Sequence, residues 1–149
     1  MPRDRIKTET VTAMKAGDKP RVAALRLISA KVKDRDIEMR GKDVADDNTL
    51  VIDVLQKMAK QRRESIQMYE EGGRTELAEQ EKGELAVIEE FLPQQMSEAE
   101  TKAAIESIKA ETGADSMKDM GRVMGELKAR HGTELDMSKA SGWVKESLS

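Results

Sequence analysis

Cysteine, histidine and aromatic residues are scarce in this chain of 149 residues. It has no Cys, one His, and one residue each of Phe, Tyr and Trp. The absence of Cys excludes disulfides, thiolate nucleophiles and Cys-ligated metals, and one His cannot supply a zinc site of the usual composition. We interpret His131 as a helix-end residue, because the helix dipole favours a protonated ring there. We expect no catalytic residue, no metal and no cofactor.

Long apolar runs are also missing. No stretch approaches the roughly 18 apolar residues that a membrane-spanning helix needs. The first residues, MPRD, lack the apolar centre of a signal peptide. We therefore expect no membrane partner and a cytoplasmic location.

Charged residues are abundant, at 37% of the chain, and the commonest residue types all favour helices. The net charge is −3, but residues 1–42 hold 12 Lys or Arg against 6 Asp or Glu. A basic segment of this kind is typical of nucleic-acid binding. A simpler explanation is that the first helices complement the acidic helices that follow them.

Apolar residues recur at steps of three and four nearly throughout, so the predicted fold class is all-α. Four helices are predicted up to residue 92, with Met14 in the first and Leu77 in the fourth on their apolar faces. The link at Gly72 and Gly73 is so short that the third and fourth helices should form an antiparallel hairpin. An acidic stretch at residues 43–48 faintly resembles a calcium loop, but it lacks the glycine at the sixth position. A cluster of helix-capping residues is the interpretation we favour.

Pro93 marks the predicted domain boundary, because proline cannot continue a helix and biases the preceding residue away from the α region. The expected domains are an N-terminal four-helix unit over residues 1–92 and a C-terminal three-helix unit over residues 97–149. Ser97 and Glu100 form a capping-box pattern at the start of the second unit. Whether Pro93 acts as a mobile hinge stays open.

Arg62 falls in line with the apolar stripe of the third helix. We expect it to pair with Glu81 or Glu84 across the hairpin and hold the two helices in register. The alternative is that Arg62 belongs to a basic strip that binds RNA.

Gly121 and Gly125 lie four residues apart inside an amphipathic helix, where each costs roughly 1 kcal/mol of helix propensity relative to Ala. Close packing of a neighbouring helix would offset that cost, and this is the interpretation we favour. The alternative is that an RNA backbone lies against these glycines.

Several stretches resemble the YqeY family, in order and over nearly the whole chain. They are AALRLI at 23–28, KQRRESI at 60–66, the segment 81–96 that ends in LPQQM, and ETGADSMKDMGRVM at 111–124. That family resembles the helical and tail domains of GatB, a subunit of the tRNA-dependent amidotransferase. The segment from Gly121 to Met124, Gly132, and Val144 with Leu148 look like the GatB tail. The resemblance implies a GatB-tail-like C-terminal unit that grips tRNA.

The resemblance also brings a family label, that of a carbon–nitrogen ligase with glutamine as amide donor. The parts of the amidotransferase that hold its reaction sites have no counterpart here, so we expect no enzyme activity from this chain by itself.

Three functions stay open. The first is a non-catalytic module that binds tRNA, alone or within an amidotransferase or tRNA-synthetase complex, and does not bind DNA. Its expected contacts are Lys118, Arg122, Gly125, Lys128 and Arg130. The second is a protein-interaction adaptor that uses Met-rich faces, because flexible Met surfaces suit several partners. The third is an amidotransferase accessory subunit that acts only within a complex.

Overall fold

The computed structural model describes residues 2–42 and 46–149, and every regular element in these two ranges is a helix. The all-α fold class is therefore confirmed. The helices are α1 (Pro2–Ala16), α2 (Lys19–Glu38), α3 (Asp47–Glu71), α4 (Thr75–Glu89), α5 (Glu98–Thr112), α6 (Met120–His131) and α7 (Met137–Leu148), with a short 3-10 turn (Met117–Asp119) before α6.

Contacts along the chain divide it into two compact units, Met1–Leu92 and Pro93–Ser149. In the first unit, α1 to α4 share one apolar core. Leu25 and Ile28 of α2 and Leu55 of α3 are completely buried. Each such side chain stabilises the folded state by about 1.5–3 kcal/mol.

Aspartate caps begin two of the helices in this unit. The Asp18 side chain accepts a hydrogen bond from the backbone N–H of Arg21, and that of Asp46 accepts one from the N–H of Thr49 at 2.7 Å. Asp46 belongs to the stretch that we weighed as a calcium loop. The cap gives it a structural role there, while residues 43–45 lie outside the described residues.

Two apolar residues that we predicted on buried faces are exposed. The exposed fraction of Met14 is 52% and that of Leu77 is 37%. On α4 the neighbouring Ala78 is buried, as is Ile88. The same predicted stripe is correct at Ile88, which is 2% exposed, so the error concerns Leu77 near the start of α4 and not the whole stripe.

The segment after Pro93 is tied to the C-terminal unit. The Gln95 side-chain amide donates to the carbonyl of Thr133 at 3.1 Å, and the backbone N–H of Met96 donates to the carbonyl of Glu134 at 2.9 Å. These bonds hold the segment against the loop between α6 and α7.

Helices α5 to α7 enclose the second core, which contains Ile105, Ile108, Val123, Leu127 and Val144. The predicted capping box is present at the start of α5. The Ser97 hydroxyl accepts from the N–H of Glu100, and the Glu100 carboxylate accepts from the N–H of Ser97. The helix ends at Gly113, whose φ of +72° favours glycine.

Candidate nucleic-acid interface

One side of α6 is buried and the other faces solvent. Val123 and Leu127 are completely buried in the second core, and the residues on the opposite side are exposed. We call this exposed surface, together with the 3-10 turn that leads into it, the α6 face. It consists of Lys118, Gly121, Arg122, Gly125 and Lys128.

The two glycines of the α6 face have open space before them. A Cβ atom added at Gly121 or Gly125 would meet nothing within 4 Å. Our expectation that a neighbouring helix packs closely against Gly121 is therefore wrong for the described residues. Periodicity places a residue on one side of its helix, but it does not reveal which neighbours cover that side.

Two cations of the α6 face are unpaired among the described residues. The side chains of Lys118 and Lys128 are exposed and form neither a hydrogen bond nor an ion pair there. Arg122 is 52% exposed and donates to the Asp119 carboxylate at 2.7 Å. A surface pair between residues three apart in the chain contributes little to stability. Arg122 can therefore exchange Asp119 for another anion at low cost.

Arg130 does not belong to this surface. It lies about 140° around α6 from Gly125, and its guanidinium pairs with Glu111 of α5 and Glu126 of α6. The hydrogen bond to Glu111 raises the pKa of Arg130 and lowers the pKa of Glu111. This arrangement connects α5 to α6.

His131 lies at the last position of α6, with its Nδ1 atom 3.6 Å from the Glu134 carboxylate.

In the first unit, Arg62 faces both carboxylates that we named as its partners. Its Nε atom lies 3.2 Å from Glu81 and 2.9 Å from Glu84. All three side chains are at most 25% exposed. Burial raises the pKa of Glu81, and the charge of Arg62 opposes that rise. Arg62 thus connects α3 to α4.

Neither a metal site nor a membrane span is found in the part of the chain that the structure describes. No three His, Cys, Asp or Glu residues of ranges 2–42 and 46–149 are grouped so that they could hold a metal ion. None of the helices within those ranges has both the length and the apolar character needed to cross a bilayer.

Comparison with known proteins identifies the family. The sequence model of the YqeY family, described as Yqey-like protein, matches residues 3–148. The chain belongs to this family. The resemblance that we drew from the ordered motifs is therefore confirmed.

This YqeY-family chain is similar to proteins named "Altered inheritance of mitochondria protein 41, mitochondrial". The protein from Lachancea thermotolerans is 31% identical over 108 residues, which cover 71% of this chain and 57% of the relative. The protein from Saccharomyces cerevisiae is 27% identical over 128 residues, which cover 82% of this chain and 68% of the relative. The chain thus spans little more than half the length of the first relative.

The names of these relatives correct one expectation. We expected a cytoplasmic location because no signal peptide or membrane span is evident, but both relatives are named as mitochondrial proteins. The expectation of a cytoplasmic location is therefore wrong. It rested only on the absence of two kinds of signal, and such absences do not specify a compartment.

Sequence reasoning missed the ion pairs of Arg122 and Arg130. The spacing of Asp119 and Arg122 at three residues predicts a pair on one helix, and this signal was readable. Arg130 and Glu111 are 19 residues apart in the chain, and no local sequence pattern predicts that they pair.

Proposed function

We propose that this YqeY-family protein is a non-catalytic module that binds tRNA through the α6 face. The observation that carries the proposal is the open space before Gly121 and Gly125, which lie beside Lys118 and Lys128, two side chains with no partner in the described part of the chain. Glycine has no side chain, so at these two positions a phosphate backbone can approach the solvent-facing surface of the helix closely. Lysines at the edge of the same surface supply the charge that neutralises phosphates.

Shape also supports RNA over DNA. Folded RNA is recognised largely through its backbone and its surface contour. A helix face with two glycines and three cations suits that mode better than base reading in a major groove, which uses long side chains that reach base edges. The α6 face lacks aromatic residues, so base stacking has no part in this proposal.

The test is a titration of the full chain with total tRNA at low and moderate salt, with duplex DNA as the competitor. We expect selective binding of tRNA that weakens with salt, because released counterions drive such association. The variant Lys118→Gln/Lys128→Gln should bind at least tenfold more weakly. The matched control is Lys139→Gln/Lys145→Gln, which removes two exposed charges from α7 of the same unit and should bind almost as well as the unmodified protein.

Two results would contradict the proposal. One is the absence of tRNA binding at low salt, where weak electrostatic contacts are strongest. The other is an equal loss of binding in the two double variants, which would indicate diffuse attraction to the C-terminal unit.

The alternative function is a protein-interaction adaptor. Met68 is 71% exposed near the end of α3, and Leu77 is 37% exposed in the following helix. Salt-insensitive purification with one protein, lost in Met68→Gln, would favour this function. An amidotransferase or tRNA-synthetase complex is the partner that the resemblance to GatB suggests. Restoration of amidotransferase activity by added protein would support a role as its accessory subunit.

A further inference from the structure

A cavity of about 200 Å³ lies between α1 and α2, in the N-terminal unit. Lys7 of α1 and Lys33 and Ser29 of α2 line it, and all three are exposed. Ile6 and Val32 also line it, and they are at most 5% exposed. The cavity therefore has an apolar base and polar walls. We call it the α1–α2 cleft.

The cleft contains one carboxylate, and an arginine already holds it. Arg3 donates two hydrogen bonds of 2.9 Å to Asp36 and further bonds to Asp47, the nearest at 2.7 Å. The bonds from Arg3 hold the pKa of Asp36 below its usual value, so this carboxyl group stays ionised. Asp36 and Asp47 thus both accept hydrogen bonds from Arg3.

Neither lysine has a counter-charge of its own in ranges 2–42 and 46–149. The side chains of Lys7 and Lys33 form no ion pair or hydrogen bond among the described residues. The lining residues carry three positive charges and one negative charge. Two ammonium groups beside one cavity repel each other when no anion lies between them. An anion in the cleft would relieve this repulsion.

The donors of the cleft suit one class of anion. Ser29 and Lys33 are four residues apart, so both lie on the same side of α2, and Lys7 faces them from α1. A phosphate group offers three strong acceptor oxygens and a charge of about −1.5 to −2, which matches two ammonium groups and a hydroxyl. Lysine binds phosphate readily as a point charge.

We propose that the α1–α2 cleft binds a phosphate group. Two sources present this chemistry, a small phosphorylated ligand and the backbone of an RNA chain. The proposal does not depend on the α6 face, since it rests on different residues in the other unit.

The experiment is a titration of the full chain, followed through its backbone amide resonances, with two probes at low salt. The first probe is inorganic pyrophosphate, and the second is a short RNA without terminal phosphates. We expect shifts centred on Lys7, Ser29 and Lys33. Binding should weaken at least tenfold in Lys7→Gln/Lys33→Gln. The single variant Ser29→Ala, which keeps both charges, should bind severalfold more weakly.

The matched control is Lys31→Gln/Lys57→Gln, which removes the same charge elsewhere in the unit. Lys31 lies two residues from both Ser29 and Lys33, and therefore about 200° around α2 from each. Lys57 is exposed on α3. This variant should bind both probes almost as well as the unmodified protein.

The two probes separate the sources. Binding of pyrophosphate alone at the cleft would identify a small phosphorylated ligand, and binding of the RNA would identify its backbone. The proposal is overturned if neither probe shifts the cleft amides. It is also overturned if the two double variants weaken binding equally, because that result would show attraction to the net charge alone.

Discussion

Arg62 of α3 lies between two carboxylates of α4, with its Nε atom 2.9 Å from Glu84 and 3.2 Å from Glu81. Its side chain is only 16% exposed, so water screens these contacts weakly. Because the two glutamates lie three residues apart, they are on the same side of α4. One arginine of α3 therefore contacts two carboxylates on the same side of α4, across the hairpin.

Replacement of this arginine should destabilise the N-terminal unit. In Arg62→Met the two glutamates keep their partly buried positions but lose the cation between them, and an uncompensated buried charge is costly. Allowing for the remaining exposure of the three side chains, we expect a loss of about 1–2 kcal/mol in the free energy of unfolding. Denaturant unfolding measures it.

The neighbouring Arg63→Met is the control for this change. Arg63 is 41% exposed and lies 3.7 Å from Glu89, so its loss should cost less than about 0.5 kcal/mol. An unchanged stability of Arg62→Met, combined with a loss of RNA binding, would show instead that Arg62 belongs to a basic strip for RNA.

The raised pKa of Glu81 predicts a specific dependence of stability on pH. Burial keeps the proton on Glu81 more firmly in the folded state than in the unfolded state. The resulting stabilisation is complete below the usual pKa of 4.5 and is lost as pH rises through the raised folded value. Relative to Glu81→Gln, which does not titrate, the unmodified protein should gain stability as the pH falls from 7 towards 4.5.

The comparison uses denaturant unfolding at several pH values, with Glu76→Gln as the control because Glu76 is exposed at the start of α4. A stability difference between the unmodified protein and Glu81→Gln that stays flat over this range would refute the assignment to Glu81.

Glycine replacements on the α6 face should separate stability from binding. Nothing lies within 4 Å of a Cβ atom added at Gly125, so Gly125→Ala should stabilise the C-terminal unit by about 0.5–1 kcal/mol. The bulkier Gly125→Leu should weaken tRNA binding at least tenfold while keeping the helix. Gly142→Leu is the matched control, since Gly142 is another glycine in open space in the same unit. Equal tRNA binding by both leucine variants would show that Gly125 is not part of the interface.

Two basic residues near the end of α6 should give opposite results. Arg130→Ala breaks the connection to Glu111 of α5 and should lower the Tm of the C-terminal unit by about 1–3 °C, with little effect on tRNA binding. Lys128→Ala should weaken tRNA binding severalfold and leave the Tm almost unchanged, because Lys128 has no partner to lose among the described residues. Thermal unfolding and tRNA titration of both variants test this pair. Loss of tRNA binding in Arg130→Ala at an unchanged Tm would place Arg130 in the interface.

Much of the fold could be predicted because its causes are local. The Asp46 cap, the capping box of Ser97 and Glu100 and the turn at Gly72 each depend on residues a few positions apart. The sequence also predicts that Arg62 and Glu84 face each other, since helices joined by so short a turn must fold back along each other. Family membership could be predicted for the same reason, because it depends on short motifs that occur in a fixed order along the chain.

Tertiary structure alone decided which surfaces are free. The period of a helix reveals which residues share a side, but packing determines what covers that side. Gly121 therefore faces solvent where we expected a neighbouring helix. Arginine and lysine side chains are also long enough to reach several partners, so only their positions in space select one. That is why Arg130 binds Glu111 across the helix pair, while Lys7 and Lys33 both line the α1–α2 cleft.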